Sequence, residues 1–445
     1  MYNKFMKNTY YKNRRNKVFK QIHSGIAVVS SAFMQTRSND TDFPFRQDSN
    51  FYYLTGFNEP NALLLLCKND KQTKSVIFLR ESNPEMEMWV GKFLGVKDAP
   101  SVLDIDEAYD IKELESVLPK LLENHENLYV DTLKENEYIQ SIKKVSNDLL
   151  NSRTVFKSPR NFLHLNALIE KMRLIKEPFE IEQIRKALNI TKKAHHASMA
   201  FMSEGKTEYE TQALIEYIFK KEGSRHEAYE SIVAGGDNAN TLHYVENLQS
   251  LKDGDLVLID AGCEYGLYAS DITRTTPVNG KFTQAQKDLY NGILEAQLKI
   301  IELIKPGCTK QMLQDKSEEL LTKVMINLGI LKGSVKELIK DKKHKKYYPH
   351  GIGHWMGLDV HDTCPYKNED SSELLFEEGM VLTIEPAIYL PKDDMEVPEK
   401  YRGIGIRIED DILVTKDGYE NLSVGIAKTV AEIEAMYEKD YKEFL

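Results

Sequence analysis

The sequence predicts an α/β (α+β) chain of two domains, and three observations carry that prediction. Its 445 residues exceed what one hydrophobic core supports, since single cores stop growing near ~250–300 residues. Short apolar runs alternate with helical or polar stretches through the first part, the pattern of an α/β domain. In the second part long helix-period segments come first, and strands carrying acidic residues follow. Lys176-Glu177-Pro178 separates the two, because proline suits a first helical turn and disfavours helix just before it. The expected domains are residues 1–175 and 176–445.

The N-terminus is basic (Lys4, Lys7, Lys12, Arg14, Arg15, Lys17) and superficially resembles a signal peptide. The run Ile26-Ala27-Val28-Val29 that follows is too brief for a secretory core, so residues 26–30 read as a first strand. Residues 62–67, 75–79 and 127–130 read as further strands, and residues 162–173 as a helix leading out of the domain. A long amphipathic helix is expected over 179–203, with others near 207–222, 283–304 and 309–328.

Composition narrows the function classes. A net charge of −10 offers no positive field to attract phosphate, which argues against nucleic acid. The basic stretch 336–346 has no aromatic platform and reads as a solvated helix end. No run of ~18 apolar residues suggests a membrane span. Cys67, Cys263, Cys308 and Cys364 are far apart and form no CxxC pair, which fits reduced thiols in the cytoplasm.

Five residues dominate the second part. Asp260 closes the apolar run Leu256-Val257-Leu258-Ile259, and Asp271 lies in Tyr268-Ala269-Ser270-Asp271-Ile272-Thr273. Between them Glu264-Tyr265-Gly266-Leu267 reads as a hairpin turn. A turn centred on Tyr265-Gly266 would set Asp260 directly across from Asp271, with Cβ atoms ~5 Å apart. Like charges so placed destabilise a sheet, and burying each costs several kcal/mol unless something positive lies between; a metal ion answers that. His350-Gly351-Ile352-Gly353-His354 holds two histidines four residues apart, and its glycines argue for a loop rather than a helix. One histidine is expected as a ligand and the other near the substrate. Glu385 ends the run Met380-Val381-Leu382-Thr383-Ile384 ahead of Pro386. In 403–411, alternation puts Ile404, Ile406 and Ile408 on one face and Arg407 and Glu409 on the other, where a wetted Arg407–Glu409 pair is the plain alternative. Four carboxylates and one imidazole suit manganese, cobalt or iron better than structural zinc. Four acids also exceed what one divalent ion needs, so two ions ~3.5–4 Å apart, bridged by carboxylates and a nucleophilic hydroxide, fit better. The chemistry expected is metal-assisted hydrolysis.

At these residues the chain resembles the pita-bread metallopeptidases, and among them the aminopeptidase P (Xaa-Pro aminopeptidase) family. The matching stretches are Leu258–Gly262 (LIDAG), Asp271–Thr275 (DITRT), His350–His361 (HGIGHWMGLDVH), Thr383–Pro386 (TIEP) and Gly405–Asp410 (GIRIED), in the family's order. Phe45–Phe57 (FRQDSNFYYLTGF) is similar to a segment of the family's N-terminal domain. The resemblance implies an N-terminal creatinase/aminopeptidase P-like domain followed by a pita-bread domain. It implies two divalent ions, manganese foremost, and peptides with proline in second place as substrates. It also implies a homodimer or homotetramer.

Residue by residue, it implies that Asp260 chelates one metal and that Asp271 and Glu409 bridge both. His354 and Glu385 complete the other shell, with Glu385 also moving protons. His243, His350 and His361 line the pocket, His361 stabilising the tetrahedral intermediate and His243 lying near the scissile peptide. Arg407 and Tyr389 stand near substrate and ligands. Asp40 and Trp89 match first-domain positions that approach a partner's pocket in tetrameric relatives; a surface acid and a packed tryptophan are the plain alternatives. Ala387 departs from a glycine common in relatives.

The chemistry agrees. An Xaa-Pro bond has no N–H to grip, so its carbonyl must be polarised and the ring given a shaped pocket. Prolidase shares the ligands, and the FRQDSNFYYLTG segment favours aminopeptidase P over it. Methionine aminopeptidase typically lacks the large first domain. Creatinase lacks this metal set, and non-catalytic pita-bread proteins generally lose ligands that are intact here.

Overall fold

The protein is described from a computed structural model covering residues 9–153 and 157–445. It divides into two compact units, 1–172 and 173–445. Lys4 and Lys7 lie outside the described residues.

The first unit is built on a six-stranded mixed sheet. Its strands run in the order Glu107–Asp110, Thr73–Leu79, Leu63–Lys68, Gly25–Ser30, Asn127–Val130 and Asn161–His164. Leu63–Lys68 is antiparallel to both of its neighbours, and the other three pairs are parallel. Ile26, Val28, Leu63, Leu65, Val76 and Phe78 pack against Leu114, Leu118 and Ile142 of the covering helices. The strands expected at 26–30, 62–67, 75–79 and 127–130 are present within one or two residues. Residues 162–164 are not helical: they form an edge strand pairing with Asn127–Val130, and the helix begins at Asn166. Pairing with an existing strand overrides a weak local preference there.

The basic N-terminus proves to be a helix, Thr9–Gln21, that buries Arg14 and Arg15. Arg15 donates to Leu54 O (2.8 Å) and Leu103 O (3.2 Å), carbonyls at the ends of helices Ser49–Thr55 and Gly95–Leu103. Arg14 lies over the Tyr53 ring, 4.0 Å from its centroid. Cations at helix C-termini satisfy carbonyls that have no partner within the helix. The FRQDSNFYYLTG segment is thus a short capped helix. Asp48 accepts from Phe51 N at its start, and Gly56 ends it at φ 65°, where an added Cβ would lie 2.4 Å from Tyr11.

The second unit opens with helix Pro178–Phe201, followed by Glu208–Lys221. Helices Gln284–Ile301 and Lys310–Asn327 start at Thr283 and Thr309, each hydroxyl accepting from the third residue on. These helices cover one side of short antiparallel strands. Ala187, Ile190 and Ile215 pack on Val257 and Ile259, while Leu289, Ile293 and Met325 pack on Ile388 and Ile406. The opposite faces of the same strands are left for the site. Among the described residues no helix is long and apolar enough to cross a membrane.

Candidate functional site

A break in one strand ladder sets two of the acids. Val381–Ile384 pairs with Asp410–Val414, and Ala387–Leu390 pairs with Ile404–Arg407 in the same continued register. Glu385 and Glu409 therefore face each other at the interruption, where Pro386 has no N–H for the ladder. Alternation turns Ile388 and Ile406 into the helix-covered core, and Tyr389 and Arg407 to the other side. On Leu256–Asp260, Val257 and Ile259 face the helices while Leu258 joins Tyr389, so Asp260 opens toward the same place.

The hairpin after Asp260 corrects the expected register. Asp260 pairs with Thr273, not Asp271. The turn sits at Gly266-Leu267, both with positive φ (58° and 66°), between the paired Tyr265 and Tyr268. That is the type I′ geometry that matches strand twist. The shift is two residues, so Asp271 keeps its face and becomes the diagonal neighbour of Asp260. The Tyr229 hydroxyl lies 2.6 Å from Oδ1 of each. A hydroxyl has one proton and can donate to only one carboxylate at a time. Burial raises the Asp271 pKa.

His354 Nε2 lies 3.3 Å from Asp271 Oδ2 and 3.8 Å from Glu385 Oε1. Asp271, His354 and Glu409 place ligand-capable atoms within 4.8 Å of one another. His354 Nδ1 meets Trp355 O at 3.1 Å and must donate to it, which leaves Nε2 as the ligating nitrogen of the neutral ring. Burial alone would lower the His354 pKa, yet Asp271 and Glu385 hold it up at about 9. Burial raises Glu385 and, strongly, Glu409. Arg407 does not pair with Glu409 on a wetted face: both are buried, at 4% and 2% exposure. Its guanidinium instead donates to Asp260 Oδ2 (2.5 Å), Tyr389 OH (2.7 Å) and Thr273 Oγ1 (3.0 Å). One engaged arginine leaves this cluster of acids short of positive charge. The oxygen-rich donor set with one imidazole fits divalent metal ions.

A consequence is testable by pH. The raised acids and His354 bind more protons folded than unfolded, so the metal-free protein loses stability as pH rises. The His354 share is complete below its unfolded value of about 6.5 and is lost as pH passes through about 9. The thermal midpoint of metal-stripped protein should fall between about pH 6 and about pH 9, and added divalent metal should raise it more at the higher pH. A metal-induced rise that is equal or larger at pH 6 would contradict this.

A cavity of about 490 Å³ opens onto these groups and is also lined by His243, His350 and His361. His350 Nδ1 donates to Gly351 O (2.8 Å), and burial lowers its pKa to about 4, so the ring is neutral. Its Nε2 then accepts from Tyr389 OH (3.0 Å), which itself accepts from Arg407. The His361 ring stands edge-on to His354 at 4.3 Å. Partial desolvation and the neighbouring His354 lower its pKa, although the residue as a whole is exposed. His243 sits on an exposed turn at the cavity mouth.

Residues 182–416 match the model of metallopeptidase family M24, and residues 11–129 match the aminopeptidase P N-terminal domain. The chain belongs to metallopeptidase family M24. It is 44% identical to the Xaa-Pro aminopeptidase of Haemophilus influenzae, over 95% of this chain and 96% of that one. With the Escherichia coli Xaa-Pro aminopeptidase it shares 42% identity, over 96% and 97%. Zinc-substituted E. coli aminopeptidase P in complex with product superposes with a TM-score of 0.93 at 39% identity, covering 97% and 98% of the two chains. The second unit thus has the M24 pita-bread fold, and the first is an aminopeptidase P N-terminal domain.

Of the site residues read from sequence, Asp260, Asp271, His354, Glu385, Glu409, His243, His350, His361 and Arg407 line one M24 cavity, with Tyr389 hydrogen-bonded behind it. Asp40 and Trp89 belong to the first unit. Asp40 lies in an exposed turn between Thr36–Ser38 and Thr41–Asp42. Trp89 is 85% exposed on helix Pro84–Val90, which buries none of its residues, so it is not a packed tryptophan. Sequence reasoning missed Tyr229, and Thr273, whose hydroxyl donates to Glu409 Oε2 (2.7 Å). Tyr229 sits in no pattern that distinguishes it from an ordinary polar residue, and Thr273 lies within the Asp271–Thr275 stretch without standing out from it.

Proposed function

We propose that this chain releases the N-terminal residue from peptides whose second residue is proline, as a metal-dependent aminopeptidase. The observation that carries the reading is the group of buried acids around one imidazole at the floor of a cavity, with the nearest arginine already engaged. Two divalent ions, Mn²⁺ foremost, would be held by Asp260, Asp271, His354, Glu385 and Glu409. When bound, they supply a water acidic enough to attack near neutral pH and a polarised scissile carbonyl.

The chain's own groups do the rest. Asp260, or acid groups of a neighbouring subunit, receive the α-amine of the first residue, which confines cleavage to the first bond. Glu385 moves the proton from the attacking water toward the leaving nitrogen. His361 donates to the oxyanion as it forms, and His243 stands by the scissile peptide. Arg407 and Tyr389 hold Asp260 and His350 in place for substrate. Leu242, Val245 and Val360 give the cavity an apolar wall suited to a pyrrolidine ring. We place the domain boundary at 175/176, the protein in the cytoplasm, and its assembly as a homodimer or homotetramer. In that assembly Asp40 and the exposed Trp89 reach a partner's cavity.

A timed digest of Arg-Pro-Pro and Gly-Pro tests the reading, with metal-stripped protein and after manganese is returned. Free arginine released only with metal, and little cleavage of the dipeptide, is the expected result. Cleavage mainly of Gly-Pro would make the enzyme a dipeptidase. Hydrolysis of neither would leave the metal site without this substrate.

A further inference from the structure

Lys310 lines the same cavity and has no part in the chemistry above. It opens helix Lys310–Asn327, just after the capping residue Thr309. Its ammonium lies 3.8 Å from the centroid of the Tyr366 ring, an attraction of charge to the aromatic face. Among the described residues it has no ion-pair partner. Burial lowers its pKa, and the field of Glu385 opposes that fall. The Arg407 guanidinium, which also lines the cavity, directs a donor from each of its three nitrogens to Thr273, Tyr389 and Asp260.

A partly desolvated cation without a partner is suited to an anion that arrives with the ligand. A peptide offers two kinds of charge. Its N-terminal ammonium is repelled by Lys310 and matches Asp260, whereas its C-terminal carboxylate and any acidic side chain after the proline lie beyond the scissile bond. We propose that Lys310 is a specificity-determining residue that receives a carboxylate of the leaving peptide. The carboxylate can be the C-terminus of a short substrate or an acidic side chain after the proline. This rests on the aminopeptidase reading above.

The test compares Arg-Pro-Ala, Arg-Pro-Ala-NH2 and Arg-Pro-Asp-NH2 on the metal-loaded wild type, Lys310→Met and Lys310→Arg. Wild type should favour the free acid over the amide by about ten-fold in kcat/KM, mostly through KM, as one charged hydrogen bond provides. The ratio should fall to near one in Lys310→Met and return in Lys310→Arg. Preference for Arg-Pro-Asp-NH2 over Arg-Pro-Ala-NH2 would assign the site to side chains, and its absence to the C-terminus. Calorimetry of the product Pro-Ala and its amide gives the same comparison without turnover. Metal content and thermal midpoint show that each variant is folded, and Lys310→Gln replaces Met if that variant is not. A wild-type acid-to-amide ratio near one, or a ratio that survives in Lys310→Met, overturns the inference while leaving the function intact. No hydrolysis of any peptide by wild type removes the function and this inference with it.

Discussion

Asp271→Asn and Glu409→Gln will each empty at least one metal site and abolish hydrolysis. Each substitution keeps the size of the side chain and removes its charge. At Asp271 the amide nitrogen also puts a donor where one of two acceptor oxygens stands, Oδ1 facing Tyr229 and Oδ2 facing His354 Nε2. At Glu409 it removes the acid facing Glu385 across the ladder break. Loss of an outer hydrogen-bond partner already costs a metal site about 10–100-fold in affinity, and loss of a bridging carboxylate should exceed that. Both side chains are buried. Removing the Glu409 charge relieves repulsion among the acids, so metal-free Glu409→Gln should be at least as stable as metal-free wild type. Asp271→Asn also removes a partner of His354 and should be less stable at neutral pH. Metal analysis, thermal midpoint and turnover together check this. Normal metal content with near-normal turnover in either variant would refute the bridging assignment.

His361→Ala should retain its metal and lose kcat by about 10²-fold or more, the effect of removing one donor aimed at a developing oxyanion. The ring lies beside His354, close to the metal-binding atoms, yet its own pKa is lowered, so it donates as a neutral imidazole near pH 7. The loss should therefore be flat across neutral pH rather than following a titration. A rise in KM with kcat unchanged would instead make His361 a residue of ground-state binding. Full metal occupancy is the control that separates this from ligand loss.

The residues that carry chemistry were legible because each breaks a local pattern. A carboxylate at the end of Leu256-Val257-Leu258-Ile259, or between Ile384 and Pro386, is out of place in a buried strand unless something holds it. What pattern could not supply was register. The turn at Gly266-Leu267 places a leucine at positive φ, a conformation that residue type rarely signals. The two-residue error left both acids on one face, because strand faces repeat every second residue. The helix Thr9–Gln21 was missed because its arginines satisfy carbonyls from helices dozens of residues away. Residues 162–164 became a strand because an existing edge offered hydrogen bonds.

By itself the sequence determined the two-part plan and the five ligand candidates, since strand alternation and local burial are set by near neighbours, while their grouping into one site rested on the motifs shared with the family. The tertiary structure alone decided what those acids face. It brought Tyr229 between Asp260 and Asp271, gave Arg407 to Asp260 rather than Glu409, set Glu385 opposite Glu409, and left Lys310 unpaired in the cavity wall. Those relations join residues up to about 150 positions apart in sequence. They follow from the packing of helices and strands, which no local pattern encodes.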